Sequence, residues 1–191
     1  MRPTRKLHRL YRVLIMKRKT KLTALCGLLT ALSVVLMLPT FFIPIFTYVA
    51  PLFSGLVISV TQNVAGKKWG FGVYFAVGAI SLILLSDKEA ALTYIAFFGY
   101  YPLIKEPLER LKKPVAVFLK YLIFNAATVL SALVAIYVFT VPIEDYQSFG
   151  KLSVPILLLM ANIVFVLYDL LLKRYKPLLD ALMPKIEKYL R

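Results

Sequence analysis

The sequence predicts an all-α, polytopic membrane protein: a bundle of six transmembrane helices with both termini cytoplasmic. Of its 191 residues, 60% are hydrophobic, and the mean hydropathy is +0.77, which is more apolar surface than one small soluble core could bury. The apolar runs are continuous and approach the roughly 20 residues that a helix needs to cross a bilayer. Strands of a membrane β-barrel would instead alternate apolar and polar residues.

The N-terminal segment, residues 1–21, is strongly basic and has one apolar helical face. That face is formed by Leu7, Leu10, Tyr11 and Leu14. This spacing predicts a basic amphipathic cytoplasmic helix that lies on the anionic inner leaflet. Docking of the same helix against a partner protein is the open alternative.

Six apolar spans follow, at about 22–38, 47–65, 71–85, 90–104, 115–141 and 152–172. The transmembrane domain is therefore predicted to cover 22–172, and a basic amphipathic cytoplasmic tail to cover 173–191. The fourth span is the shortest, and Pro102 removes one of its backbone hydrogen bonds. Lys120, near the start of the fifth span, is expected to extend its ammonium group to the membrane interface.

The basic residues determine the orientation. With six spans and a cytoplasmic N-terminus, all but two of the 24 Lys and Arg residues lie inside, as the positive-inside rule requires. Only Lys88 and Lys151 lie outside, the latter ending the loop Pro142–Lys151. The outer carboxylates are Asp87, Glu89, Glu144 and Asp145. The rule also accounts for the net charge of +15, so a lipid bilayer is the expected partner and nucleic acid is not.

The residues needed for catalysis or metal binding are nearly absent from the sequence. His8 is the only histidine and Cys26 the only cysteine, so neither a Ser-His-Asp nor a Cys-His site within the membrane is expected. We predict no metal site, no cofactor and no enzymatic activity. A membrane enzyme that uses only Lys, Tyr and carboxylates stays open. Because no Gly-rich nucleotide loop is present, ATP-driven transport would need a partner ATPase.

The stretch from Ser86 to Glu106 offers the first candidate binding residues. Ser86 and Glu89 have the spacing of a helix capping box. Alternatively, Lys88 or Glu89 contacts a polar ligand at the outer face, with the aromatic ring of Tyr94 below. Helix packing is the competing interpretation of the Tyr94 face, and Tyr100 and Tyr101 would then lie in the inner interfacial belt.

Two asparagines are the next candidates. Asn125 and Asn162 both fall near the middle of their spans, where amides usually face the bundle interior. They either hydrogen-bond to each other or contact a ligand. Asp169 is the only carboxylate clearly inside a span, and it either pairs with Lys173 one turn later or acts in a proton relay.

Small residues recur every fourth position on the first span, at Thr23, Gly27 and Ala31. The first half of the chain resembles the first half of the proteins of a known family. The resemblance rests on this stripe, on the segments TKLTALCGLLTALSVVLMLP and FFIPIFTYVAPLFSGLVI, and on the turn Gly66-Lys67-Lys68-Trp69-Gly70. The proteins of this family are the substrate-binding S components of energy-coupling factor (ECF) vitamin transporters. In that family an Ala-x-x-x-Ala stripe contacts the transmembrane T component, and Gly27 here replaces the first alanine.

The resemblance implies a prokaryotic cell-membrane protein that captures a vitamin or similar small nutrient at the outer face. Partner subunits, the T component and ATPases, would drive uptake. The family's outward cavity is formed by helices 4 to 6 with the loop after helix 1, which makes Glu89, Tyr94, Asn125 and Asn162 its candidate lining by position. Two alternatives stay open: a self-contained permease or channel, disfavoured by the expected lack of inward-facing ion pairs, and a non-transport membrane adaptor.

Overall fold

The structure, a computed structural model, describes the backbone of residues 3–43, 46–140 and 153–190. Side chains are described over the same ranges except 3–15, 17, 153 and 185–190. The predicted outer loop Pro142–Lys151, with Glu144 and Asp145, lies outside the described residues. The predicted apolar face of the N-terminal helix lies among the residues whose side chains are not described.

The described chain is helical and contains no strand, which confirms the all-α prediction. The helices are α1 (Pro3–Met37), a 3-10 helix (Leu38–Phe41), α2 (Phe46–Ala65), α3 (Lys67–Leu84), α4 (Lys88–Thr93), a π-helical turn (Tyr94–Phe98), α5 (Tyr101–Glu109), α6 (Lys113–Phe139) and α7 (Ser153–Leu190). Both α1 and α7 run without a break through the domain boundaries predicted near residues 21 and 172. The basic end segments therefore continue helices of the membrane bundle.

Five described helices are long and apolar enough to cross a membrane. They cover Arg18–Phe41, Phe46–Ala65, Lys67–Leu84, Lys113–Phe139 and Val154–Pro184. Large apolar side chains cover their outer surfaces; Leu28 is 67% exposed, Ile83 85% and Tyr137 78%. Helices with their backbone groups bonded internally and apolar side chains outward are what a bilayer requires. The chain is therefore a multi-pass membrane protein.

The predicted fourth span is not one regular helix. It consists of α4, the π-helical turn and α5, which we call the central segment (Lys88–Glu109). This segment contacts α2, α3 and α6 along its length. Because neighbouring helices rather than lipid surround it, it can be short and carry many polar groups. Its fully buried side chains include Ala90, Ala91, Tyr94, Tyr101 and Leu103.

The central segment separates two cores. On one side, Tyr94 and Leu103 pack with apolar side chains of α1, α2 and α3, including Met37 and Ile58. The other core is aromatic and is shared with α6 and α7. Its stacked pairs are Phe97–Tyr101, with ring centroids 4.6 Å apart, and Phe124–Phe165, 4.8 Å apart. The central segment thus lies between the two cores, and α2 also contacts α7 directly.

Pro102 causes the irregularity of the central segment. It has no N–H group, so the carbonyl of Phe98, four residues earlier, lacks its helical donor. The hydroxyl of Tyr168 on α7 donates to that carbonyl instead, at 3.0 Å. One turn earlier, the wider π-helical bond runs from Gly99 N to Tyr94 O, at 2.8 Å.

Gly55 on α2 makes this replacement possible. A Cβ atom at position 55 would overlap both the Phe98 carbonyl oxygen and the Tyr168 hydroxyl. Only a residue without a side chain lets α2 approach the broken turn while Tyr168 reaches it from α7. Gly72 on α3 is the opposite case, because a Cβ there would meet nothing within 4 Å.

We predict that Gly55→Ala destabilises the protein by about 1–3 kcal/mol, the usual range for overpacking a close contact. Gly72→Ala is the matched control and should be neutral or slightly stabilising, because alanine favours a helix by about 1 kcal/mol over glycine. Thermal unfolding of both variants in detergent measures the difference. Equal midpoints for the two variants would show that the α2 contact is not tight.

Candidate functional site

The charged group Asp87-Lys88-Glu89, which the sequence predicts to lie outside, joins the end of α3 to the start of α4. Asp87 is the N-cap of α4: its Oδ1 accepts from Ala90 N at 3.1 Å, and its Oδ2 accepts from Thr47 Oγ1 at 2.7 Å. The predicted capping box beginning at Ser86 is therefore wrong by one residue. The carboxylate of Asp87 takes the capping position because it bonds both to the helix and to α2.

Lys88 has a structural role in the same junction. Its Nζ donates to the carbonyls of Leu82 and Leu85, at 2.8 and 2.6 Å, which closes the C-terminal end of α3. A cation at that end also balances the negative pole of the helix. Glu89 is half-buried in the first turn of α4, where a carboxylate suits the positive pole. A ligand at Lys88 would have to compete with two short hydrogen bonds.

Tyr94 lies inside the bundle and is fully buried, at 0% exposure. Its ring packs against Tyr74, with centroids 5.8 Å apart. Its hydroxyl has no hydrogen-bond partner among the described residues, and the same holds for the buried hydroxyls of Ser33 and Ser54. Burying a hydroxyl without a partner costs free energy. Among the predicted ligand residues, Tyr94 therefore has a hydroxyl that is available for a hydrogen bond to a ligand.

Asn125 and Asn162 hydrogen-bond to each other, as one of the two sequence interpretations predicted. Asn125 Nδ2 donates to Asn162 Oδ1 at 3.1 Å, and Asn162 Nδ2 donates to Asn125 Oδ1 at 2.9 Å. The second amide proton on each side bonds a carbonyl one turn earlier in its own helix. The pair joins α6 to α7, and all its amide protons are used, so a ligand could bind only as a donor to the second lone pair of each Oδ1.

The strongest polar feature of the molecule was not predicted. Five side chains from α5, α6 and α7 meet where the central segment approaches the predicted cytoplasmic side. We call them the inner charge cluster: Lys105, Glu109, Lys120, Asp169 and Lys173. Lys120 is 7% exposed and pairs with Glu109 at 3.0 Å and Asp169 at 3.2 Å. The expectation that Lys120 extends to the interface is therefore wrong.

Asp169 is the centre of this cluster. Its Oδ1 accepts from Lys105 Nζ and from the hydroxyl of Tyr101, each at 2.6 Å, while its Oδ2 pairs with Lys173 at 3.0 Å. The predicted pairing of Asp169 with Lys173 is confirmed, although it is one part of a larger network. Tyr101 is fully buried, which contradicts its predicted place in the interfacial belt.

The cluster also corrects the expectation that no ion pair faces the bundle interior. Lys105 and Asp169 are 64 residues apart in sequence, so no local spacing could signal their contact. The sequence does show two i,i+4 spacings within the cluster, Lys105 with Glu109 and Asp169 with Lys173. Such a spacing is equally compatible with an ion pair on the surface of a helix and with a buried one. Burial decides between these interpretations, and burial is a property of the fold.

The predicted partner stripe lies on the outer surface of α1. Thr23, Gly27 and Ala31 are all exposed, and a Cβ atom at Gly27 would meet nothing within 4 Å. The hydroxyl of Thr23 is bonded to the carbonyl of Lys19 at 3.0 Å, so it presents no free donor to lipid. In the described structure, this small-residue surface is uncovered.

Within the described residues, no group of His, Cys, Asp and Glu side chains has the arrangement of a metal site. No protein-family model, curated protein or solved structure matches the chain.

We predict that Asp169→Asn destabilises the bundle by about 3 kcal/mol or more, because it leaves buried lysines without their main counter-charge. Glu106→Gln is the control. Glu106 reaches Lys176 only at 4.0 Å, and the two side chains are 54% and 60% exposed, so its loss should cost less than about 1 kcal/mol. Denaturant unfolding in detergent compares the two variants, and similar losses would contradict a central role for Asp169.

Proposed function

We propose that the chain is the substrate-specific membrane subunit of an ECF-type importer in a prokaryotic cell membrane. It would capture a vitamin or similar small nutrient at the outer face. A T component and ATPase subunits would then drive release inside. The observation that carries the proposal is the uncovered stripe of Thr23, Gly27 and Ala31 on α1.

The chemistry of the stripe differs from that of the surface beside it. Neighbouring positions on α1 carry large exposed side chains, such as Leu28 at 67% and Leu32 at 46%, which suit contact with lipid chains. Small residues at four-residue spacing give up that contact and instead allow another helix to approach closely. An exposed stripe of this kind suits a helix from a second protein.

Ligand capture is supported by the unpaired hydroxyls in the core shared by α1, α2, α3 and Tyr94. Ser33 and Ser54 are each 0% exposed, as is Tyr94. Ser33 lies beside Val34 and one turn from Met37, and Ser54 lies one turn from both Ala50 and Ile58, all members of that core. A nutrient with hydrogen-bonding groups would satisfy these hydroxyls when the bundle opens to admit it.

We predict that Gly27→Leu abolishes copurification of the T component and ATPase subunits while the chain itself folds normally. The added side chain enters open space, so it does not disturb the bundle, but it would hold a partner helix away. Gly72→Leu on α3 is the matched control, since position 72 is also exposed and open. Affinity purification from the native host measures partner yield. Equal yields for Gly27→Leu and wild type would contradict the assignment of the stripe as the contact with the T component.

A self-contained permease is the second candidate, and the inner charge cluster favours it, because buried ionisable residues often mark ion or substrate paths. The purified chain reconstituted alone in liposomes separates the two functions. The proposed importer subunit should show no sustained, concentrative uptake without its ATPases. Accumulation of nutrients driven by an imposed ion gradient would support the permease instead.

A further inference from the structure

The inner charge cluster contains more positive than negative charge. Each of its three ammonium groups lies within 4 Å of both carboxylates. The distances to Asp169 and Glu109 are 2.6 and 3.8 Å for Lys105, 3.2 and 3.0 Å for Lys120, and 3.0 and 3.9 Å for Lys173. Three cations thus share two anions, and the nearby Glu106 is engaged with a different lysine, Lys176. One positive charge has no counterpart in the cluster.

Lys173 is the member through which an anion could balance that charge. The side chains of Lys105 and Lys120 are only 10% and 8% exposed, whereas that of Lys173 is 53% exposed. An anion that contacts Lys173 would also lie near the buried ammonium groups. Attraction is stronger there than at an isolated surface lysine, because low-dielectric protein screens charges less than water does.

The surface around Lys173 indicates which kind of anion fits. Val166, Leu170 and Lys173 share one face of α7 at i, i+4 and i+7, and the two apolar members are 37% and 54% exposed. Beyond Lys173 on this face, the helix exposes Lys176, whereas Arg174 lies about 100° around the helix from Lys173. A ligand along this face would meet an apolar surface first and a cationic one at its end, which is the pattern of a lipid chain and headgroup.

We infer that Lys173 and the inner charge cluster form a binding site for the phosphate of an anionic phospholipid in the inner leaflet. The acyl chain would lie along Val166 and Leu170. This site is independent of the proposed transport function, since it uses neither the stripe on α1 nor the unpaired hydroxyls of Ser33, Ser54 and Tyr94. The lipid completes the charge balance of the cluster and stabilises the contact of α5, α6 and α7.

The test compares the purified full chain in nanodiscs of phosphatidylcholine alone and of phosphatidylcholine with phosphatidylglycerol. Phosphatidylglycerol should raise the unfolding midpoint of the wild type by about 2–4 °C, the shift typical of one good contact in a chain of this size. Lys173→Gln should lose this shift, and Lys173→Arg should keep it. Arg174→Gln, which removes an equal charge from the adjacent exposed residue, should also keep it.

Two results would overturn the inference. Equal loss of the shift in Arg174→Gln and Lys173→Gln would mean that the whole basic surface attracts lipid without a specific site. An equal shift on adding inorganic phosphate to the phosphatidylcholine discs would identify the ligand as a soluble anion. If Lys173→Gln does not fold, native mass spectrometry of the wild type and of Arg174→Gln replaces the thermal measurement. The inference requires that both retain phosphatidylglycerol in preference to phosphatidylcholine, and the absence of that preference in either overturns it.

Discussion

The hydrogen bond from the Tyr168 hydroxyl to the Phe98 carbonyl is the contact on which the arrangement of the bundle depends. Pro102 leaves that carbonyl without a helical donor, and at membrane depth no bulk water is available to replace it. The donor has to come from another helix, which sets the position of α7 against the central segment. Gly55 then lets α2 close over the same point, so the central segment, α2 and α7 meet at this one carbonyl.

The two halves of the central segment are held by different polar groups. Asp87 joins the start of α4 to α2 through Thr47, while Lys88 joins it to the end of α3. At the other end, Lys105 joins α5 to α7 through Asp169. Buried ion pairs often add little net stability, because desolvation offsets their attraction. Here these polar groups position the segment, because Lys88, Lys105 and Glu109 each bond to a group on a neighbouring helix.

The two proposed surfaces, the stripe on α1 and the lipid site at Lys173, each lie on a helix that also contributes polar groups to the interior. The stripe lies on α1, which also carries Ser33, one of the three described residues with an unpaired buried hydroxyl, and Lys173 lies on α7, which also carries Asp169. Transporters commonly use broken helices because their exposed backbone ends and polar side chains can contact a ligand within the membrane. The π-helical turn begins at Tyr94, so the irregular backbone and the unpaired hydroxyl occur at the same residue.

The sequence by itself determined the membrane class, the helical composition and most helix boundaries, and it left two roles open for Asn125 and Asn162, of which the structure shows mutual pairing. Hydropathy, charge alternation and depth within a span are local properties, and each can be read from neighbouring residues. Only the tertiary structure decided that Lys120 is buried, that Asp87 rather than Ser86 caps α4, and that three lysines share Asp169 and Glu109. Those contacts join residues from separate helices, and their energetics depend on desolvation, which is known only once the helices are packed.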